Sequence, residues 1–128
     1  MDEPRFLKLA EVLHLHDESL ARFGGLAGIG NPGLVESALA SAQNTFWYGG
    51  GGVFEIAAAY AFHIAEAQAF LDGNKRTAVA AAVLFLRVNG LPFPKDDGSL
   101  YLAMISVANK QLDKPGLART LRHLVESA

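Results

Sequence analysis

Apolar residues recur at helical spacing along almost the whole chain, and this periodicity favours helices over any other regular structure. In the N-terminal segment Phe6, Leu9, Leu13 and Leu20 share one face, and two glycines end the pattern. The same reasoning predicts helices over about residues 6–23, 32–43, 53–68, 76–88 and 99–111, and a last one from Pro115 onward. Strict strand alternation is absent, and the short extended candidates are Phe46-Trp47-Tyr48 and Leu91-Pro92-Phe93. We therefore predict an all-α fold, a single-domain bundle of about six helices over residues 1–128.

Glycine and proline mark the connections between these helices. Residues 24–33 hold five glycines and a proline, so they predict a loop whose Asn-Pro pair opens the second helix. Residues 49–52 are four consecutive glycines and predict a flexible loop. Two prolines make residues 91–98 a connector, after which Ser99 is expected to cap the fifth helix.

The charge balance and residue usage exclude several classes of protein. The 128 residues carry a formal net charge of −2 and include no cysteine. The chain therefore lacks the basic character of nucleic-acid binders, and we expect no direct nucleic-acid partner. Residues 1–4 do not resemble a signal peptide, and the longest apolar run, residues 78–86, is shorter than the about 20 residues of a membrane helix. We expect a cytoplasmic protein with no membrane partner.

One segment, between the third and fourth predicted helices, breaks the rules that helices normally follow. Asn74 stands where an N-cap belongs, so Lys75 and Arg76 fall in the first helical turn, where the helix dipole favours anions. Unpaired N–H groups and two cations together predict an anion receptor, and Gly73 lets a ligand approach closely. Asp72 is redundant for phosphate binding alone but suits a magnesium ion shared with phosphates. The alternative is a surface turn in which Asp72 pairs with one of the two cations across solvent.

Phe70 to Thr77 read F-L-D-G-N-K-R-T and resemble the signature H-x-F-x-(D/E)-G-N-(G/K)-R of the Fic/Doc family. The resemblance places this loop between two central helices, with Phe70 as its buried anchor. It covers nearly the whole chain, because other segments are similar to Doc-type toxins of this family. Those segments are His16-Asp17 and residues 23–26, 33–39 and 84–90.

By position, the resemblance implies a role for each residue of the motif. Asp72 would coordinate magnesium, and Arg76 would pair with a terminal phosphate of the nucleotide. Gly73, Asn74 and Lys75 would present backbone N–H groups and polar side chains to the phosphates. Chemistry of this kind consists largely of positioning and charge neutralisation.

The resemblance also implies a function, that of a Doc-like (death-on-curing) toxin of a toxin–antitoxin pair. Such toxins use ATP and Mg²⁺ to transfer a phosphoryl group to a hydroxyl of a translation factor, elongation factor Tu. Lys75 favours this kinase, whereas Gly73 is the more Fic-like residue, so a Fic-type protein adenylyltransferase (AMPylation) is the alternative. No Ser or Thr is followed four residues later by Glu, the minimum of the family's self-inhibitory signature. The resemblance therefore implies a separate, Phd-like antitoxin acting in trans.

The chain departs from the family at the first position of the motif, where Gln68 replaces the histidine that takes the proton from the target hydroxyl. An amide cannot take up a proton near neutral pH. Losing a positioned general base costs ~10²–10⁴-fold in rate. We therefore predict that this chain is inactive or severely impaired. An engineered inactivating substitution and a natural degenerate member both fit, the latter as a catalytically dead module that binds nucleotide or antitoxin.

The histidines elsewhere in the chain are not expected to replace the missing base. His63 lies five residues before Gln68 on the same helix and points roughly 140° away from it. A core or helix–helix role is predicted for His63, a supporting role for His16 and a surface position for His123.

Overall fold

The structure, a computed structural model, describes residues 2–93 and 97–127. Within these ranges the regular elements are all α-helices, which confirms the predicted all-α bundle. The helices are α1 (Leu9–Phe23), α2 (Pro32–Trp47), α3 (Val53–Ala67), α4 (Asn74–Val88), α5 (Ser99–Ala108) and α6 (Lys114–Glu126). None of these described helices combines the length and apolar character needed to cross a membrane.

Helix α3 lies at the centre of the bundle and contacts α2, α4, α5 and α6. Its neighbour α4 also packs against α1 and α5. Nearly half of the buried side chains on α3 and α4 are alanines, which allow helix axes to approach closely. The alanines with no exposed surface are Ala57, Ala58, Ala59, Ala61, Ala78, Ala81 and Ala82. The loop between α3 and α4 is therefore mounted on the two most deeply packed helices.

The segment that precedes α1 is fastened to this centre by one buried hydrogen bond. The backbone N–H of Leu7 donates to the hydroxyl oxygen of Tyr60 on α3 at 3.0 Å. Both residues are almost fully buried. Burial raises the pKa of Tyr60 to about 12, and the hydrogen bond from Leu7 opposes this shift. The phenol therefore stays neutral over the physiological pH range.

The end of α2 differs from the prediction, because Phe46-Trp47-Tyr48 does not form an extended piece. Phe46 and Trp47 belong to the last turn of α2, and Tyr48 follows as its C-cap. The Phe46 ring packs against Phe6 with ring centroids 6.0 Å apart and against Trp47 with centroids 4.9 Å apart. These aromatic contacts with the N-terminal segment favour the helical form over an extended one.

Helix α5 also differs from the prediction at both ends. Gly98, and not Ser99, is its N-cap, and the N–H of Ser99 donates instead to the carboxylate of Asp97 at 2.9 Å. The helix ends at Ala108 and not near residue 111, because Lys110 adopts a left-handed φ of 60°. Residues 91–93 form no regular element. The rest of the predicted connector includes residues 94–96, which lie outside the described residues.

Candidate functional site

Gln68 ends α3 and leads the chain into residues 69–73, which we call the motif loop. It is the C-cap of α3, with a left-handed backbone of φ 48° and ψ 43°. This conformation costs a non-glycine residue about 1–2 kcal/mol and is frequent at functional sites. Histidine adopts it more readily than most residues, so the backbone here suits the family's histidine. The amide of Gln68 is exposed and has no hydrogen-bond partner in residues 2–93 or 97–127.

The motif loop is closed by a reciprocal pair of hydrogen bonds. The N–H of Phe70 donates to Asn74 Oδ1 at 3.1 Å, and Asn74 Nδ2 donates to the Phe70 carbonyl at 3.0 Å. Phe70 is buried. Gly73, with a left-handed φ of 78°, takes the N-cap position, and α4 begins at Asn74. The predicted capping role of Asn74 is therefore wrong by one residue, and its side chain is engaged with Phe70 while its backbone N–H faces the start of α4.

His16 on α1 lies directly against the motif loop, a placement that sequence reasoning missed. Its imidazole is 3% exposed and stacks on the Phe70 ring, with centroids 3.8 Å apart and planes 12° apart. Its Nε2 lies 2.8 Å from the backbone oxygen of Asp72, so Nε2 carries the proton and donates. A signal was available in the sequence, because His16 falls on the apolar stripe of α1 between Leu13 and Leu20. A polar side chain at such a position needs a buried partner.

The α1–α2 loop lies along the other side of the motif loop. Ile29 and Phe70 form an isolated antiparallel bridge. The N–H of Leu71 donates to the carbonyl of Gly28 at 3.1 Å. The backbone of the motif loop is thus fixed by α1, by the α1–α2 loop and by α4.

The carboxylate of Asp72 borders a cavity at the start of α4. Its Oδ1 accepts the N–H of the next residue at 2.9 Å, and its Oδ2 accepts the N–H of Leu26 at 3.3 Å. Gly25 lies so close that a Cβ placed on it would be 2.7 Å from Oδ2. Within the described chain no ion pair closer than 4.0 Å joins Asp72 to Lys75 or Arg76. The surface-turn alternative therefore lacks the pairing on which it depends.

This cavity has a volume of about 440 Å³, and we call it the motif cavity. In the described ranges no side chain caps α4, and the first backbone hydrogen bond of this helix runs from the Thr77 N–H to the Gly73 carbonyl. Among the residues described, the side chains of Lys75 and Arg76 have neither a hydrogen-bond nor an ion-pair partner. Two cations and free helix N–H groups around one carboxylate suit a phosphate and a cation bound to it. The predicted site residues all line this cavity: Gln68, Asp72, Gly73, Asn74, Lys75 and Arg76.

A larger cavity of about 800 Å³ adjoins the motif cavity. The two cavities share Ala65, Gln68 and Lys75 as lining residues. The larger cavity adds apolar surface from Phe62 and Met104. Position 68 therefore lies where the polar motif cavity meets a larger space with a partly apolar wall.

None of the four histidines takes the place of the missing base, since none lines the motif cavity. His63 lies 3.1 Å from Lys114 Nζ, in a contact that joins α3 to α6 as predicted. Burial and the positive charge of Lys114 lower the pKa of His63, so its neutral ring accepts this hydrogen bond. His14 pairs with Glu18 at 2.8 Å on the exposed face of α1, and His123 is exposed.

Asp72 is the acidic residue in the lining of the motif cavity. The part of the chain that the structure describes has no group of three or more His, Cys, Asp or Glu side chains placed to hold a metal. Magnesium in phosphoryl-transfer sites is typically held by one or two carboxylates, with substrate phosphates and water completing its shell. A single, exposed carboxylate that shares the motif cavity with Lys75 and Arg76 fits that coordination.

Comparison with known proteins places this site in a family. The model of the Fic/DOC family matches residues 6–86, more than half of the chain, including the motif loop. The chain is 35% identical over 125 residues to "Protein kinase doc" of Escherichia phage P1, covering 97% of this chain and 98% of the phage protein. It is 40% identical over 77 residues to "Toxin Doc" of Mycolicibacterium smegmatis, covering 58% of each. The chain therefore belongs to the Fic/DOC family.

Proposed function

We propose that this chain is a Doc-like toxin, a transferase that moves the γ-phosphoryl group of ATP to a hydroxyl of a translation factor such as elongation factor Tu. The observation that carries the proposal is the motif cavity, where Lys75 and Arg76 have no acidic partner in the described chain and share the space with Asp72. The name of the phage P1 relative, a protein kinase that aligns over nearly the whole chain, supports the same activity.

Some side chains of the site would supply charge for binding, and others fix the geometry of the loop. Lys75 and Arg76 would hold the nucleotide phosphates, together with the free N–H groups at the start of α4. Asp72 would hold a magnesium ion, which supplies charge neutralisation on the phosphates when bound. His16 fixes the backbone of Asp72, so the carboxylate is oriented before the nucleotide arrives.

Gln68 determines how far the reaction proceeds. In the transfer, the target oxygen forms a bond to the γ-phosphorus, the bond to the bridging oxygen of ADP breaks, and the hydroxyl proton must pass to a base. The amide of Gln68 cannot take this proton. We therefore expect the chain as written to bind nucleotide and to transfer phosphate slowly or not at all.

The test compares the chain with Gln68→His and Gln68→Asn, each incubated with Mg²⁺, a bacterial extract and ATP labelled at the γ or the α phosphate. Asparagine tolerates the left-handed backbone but keeps the amide, so it is the matched control for the base itself. We expect γ label on a protein with Gln68→His alone. If Gln68→His labels a protein and the double variant Gln68→His, Asp72→Asn does not, the result supports the metal role of Asp72.

The result also distinguishes the alternatives. Transfer of the α label would mean a Fic-type adenylyltransferase, the reaction that the glycine at position 73 favours. A second candidate is a catalytically dead module that binds nucleotide or antitoxin, and the unpartnered amide of Gln68 favours it. Nucleotide binding with no labelling from any variant would leave that module and overturn the transferase.

We further propose a Phd-like antitoxin acting in trans in the cytoplasm. A groove of about 490 Å³ between α1, α4 and α5 supports this, since Leu15 and Val83 give it an apolar floor. Its charged lining is mainly positive, with three arginines against one glutamate: Arg22, Arg76, Arg87 and Glu18. An amphipathic segment with acidic residues matches such a surface. We expect Arg87→Glu, at a position that does not line the motif cavity, to weaken protection by the antitoxin in growth assays of the Gln68→His protein, while labelling in vitro stays unchanged.

A further inference from the structure

Two aromatic rings from different helices hold the guanidinium group of Arg76. Its carbon Cζ lies 3.7 Å from the ring centroid of Phe23, the last residue of α1. The same carbon lies 4.2 Å from the ring centroid of Tyr101 on α5. Both rings line the motif cavity beside Arg76. The side chain is thus fixed by contributions from three helices.

This kind of contact fixes the guanidinium without using its hydrogen-bond donors. An arginine offers the flat face of its guanidinium to an aromatic ring, while its five N–H donors point outward in the plane. Within residues 2–93 and 97–127 none of those donors has a hydrogen-bond partner. An acidic partner would also have fixed the side chain, but it would have neutralised the charge needed for a phosphate.

The exposure of Phe23 is explained by the same contact. The residue is 51% exposed and does not belong to the buried core. The ring serves as a wall for Arg76 and not as part of the apolar core. Holding a long side chain in place before binding spares the entropy that ordering it would otherwise cost on ligand binding.

We propose that Phe23 and Tyr101 are positioning residues, which preorganise Arg76 so that its free N–H edge meets a nucleotide phosphate. The proposal rests on the proposed function, in which the motif cavity binds the phosphates of ATP. Under this proposal both aromatic rings raise the affinity for nucleotide although they lie outside the motif, and they do so only through their contact with Arg76.

The test measures the affinity of the full chain for Mg²⁺–ATP by titration calorimetry, with Tyr101→Leu, Phe23→Leu and Tyr101→Phe compared with the unmodified protein. Either leucine variant should bind roughly two- to ten-fold more weakly, the affinity equivalent of ordering one long side chain. Tyr101→Phe keeps the ring and should bind like the unmodified protein. Tyr48→Ala removes a tyrosine that is 86% exposed and does not line the motif cavity, so it should also change nothing.

A double-mutant cycle separates positioning from a general structural effect. If Tyr101 acts through Arg76, the variant Arg76→Ala with Tyr101→Leu should bind no more weakly than Arg76→Ala alone. An additive loss in that double variant, or unchanged binding by both single leucine variants, would overturn the positioning role while leaving the proposed function intact. If the unmodified chain shows no binding of Mg²⁺–ATP at all, the proposed function fails, and the positioning role fails with it.

Discussion

Replacing His16 should loosen the motif loop more than any other single change on α1. In His16→Ala the protein loses the hydrogen bond to the Asp72 carbonyl, which contributes about 0.5–1.5 kcal/mol. It also loses the stack on Phe70, which contributes roughly the same amount beyond the buried area. We therefore expect the free energy of unfolding to fall by about 2–3 kcal/mol, since the site is buried and would also lose packing. His16→Phe keeps the stack but not the donor, so it should cost about 1 kcal/mol.

Urea unfolding followed by circular dichroism measures these differences. For a small domain the midpoint should move by about 1 M for His16→Ala and by less for His16→Phe. Affinity for Mg²⁺–ATP should fall in both variants, because both release the backbone that orients the Asp72 carboxylate. Equal destabilisation by the two variants would mean that the stack contributes nothing. Unchanged nucleotide affinity in both would refute the view that His16 holds the site in its binding geometry.

Three further predictions use other contacts. Gly25→Ala and Gly24→Ala both place a side chain at positive φ, so each should lower the free energy of unfolding by about 1–3 kcal/mol. Only Gly25→Ala brings a Cβ to 2.7 Å from Asp72 Oδ2. Affinity for Mg²⁺–ATP, measured by titration, should therefore fall more in Gly25→Ala than in Gly24→Ala, although both glycines line the motif cavity. Tyr60→Phe should lower the free energy of unfolding by about 1–2 kcal/mol in urea, because it leaves a buried backbone N–H of the N-terminal segment unpaired. Since burial and Lys114 lower the pKa of His63, the unfolded chain binds its proton more readily. The contact therefore contributes its full stability above about pH 6.5, and this contribution falls as the pH drops towards the lowered pKa of the folded state. In His63→Gln the free energy of unfolding should depend less on pH below about 6.5.

The helices could be predicted from the sequence because each has its own apolar period and its own end signals. The end of α2 could not, since the aromatic residues that extend it do so by packing against Phe6, which lies about forty residues earlier. The N-terminal boundary of α4 was misplaced for a local reason. Asn74 has the side chain of a capping residue, but it closes the motif loop on Phe70 and leaves the N-cap to Gly73.

The candidate site was predicted in part, because its charged residues are consecutive. Lys75 and Arg76 are adjacent in sequence, so the conflict between two cations and a helix N-terminus was visible without a structure. The contacts of His16 and Tyr101 were not, since each reaches the motif from a different helix. The apolar stripe of α1 marks His16 as unusual, but the period of one helix does not identify its partner on another.

The arrangement of these contacts also sets the order in which the site can assemble during synthesis. Among the described residues, the hydrogen bonds that fix the motif loop come from positions before α5, namely His16, the α1–α2 loop and Asn74. Tyr101 leaves the ribosome later, as do α5 and α6, which pack against α3. A nascent chain can therefore form the motif loop early, but Arg76 gains its second ring only after α5 has emerged and docked. Preorganisation of Arg76 by both rings therefore requires α5, whereas closure of the motif loop does not.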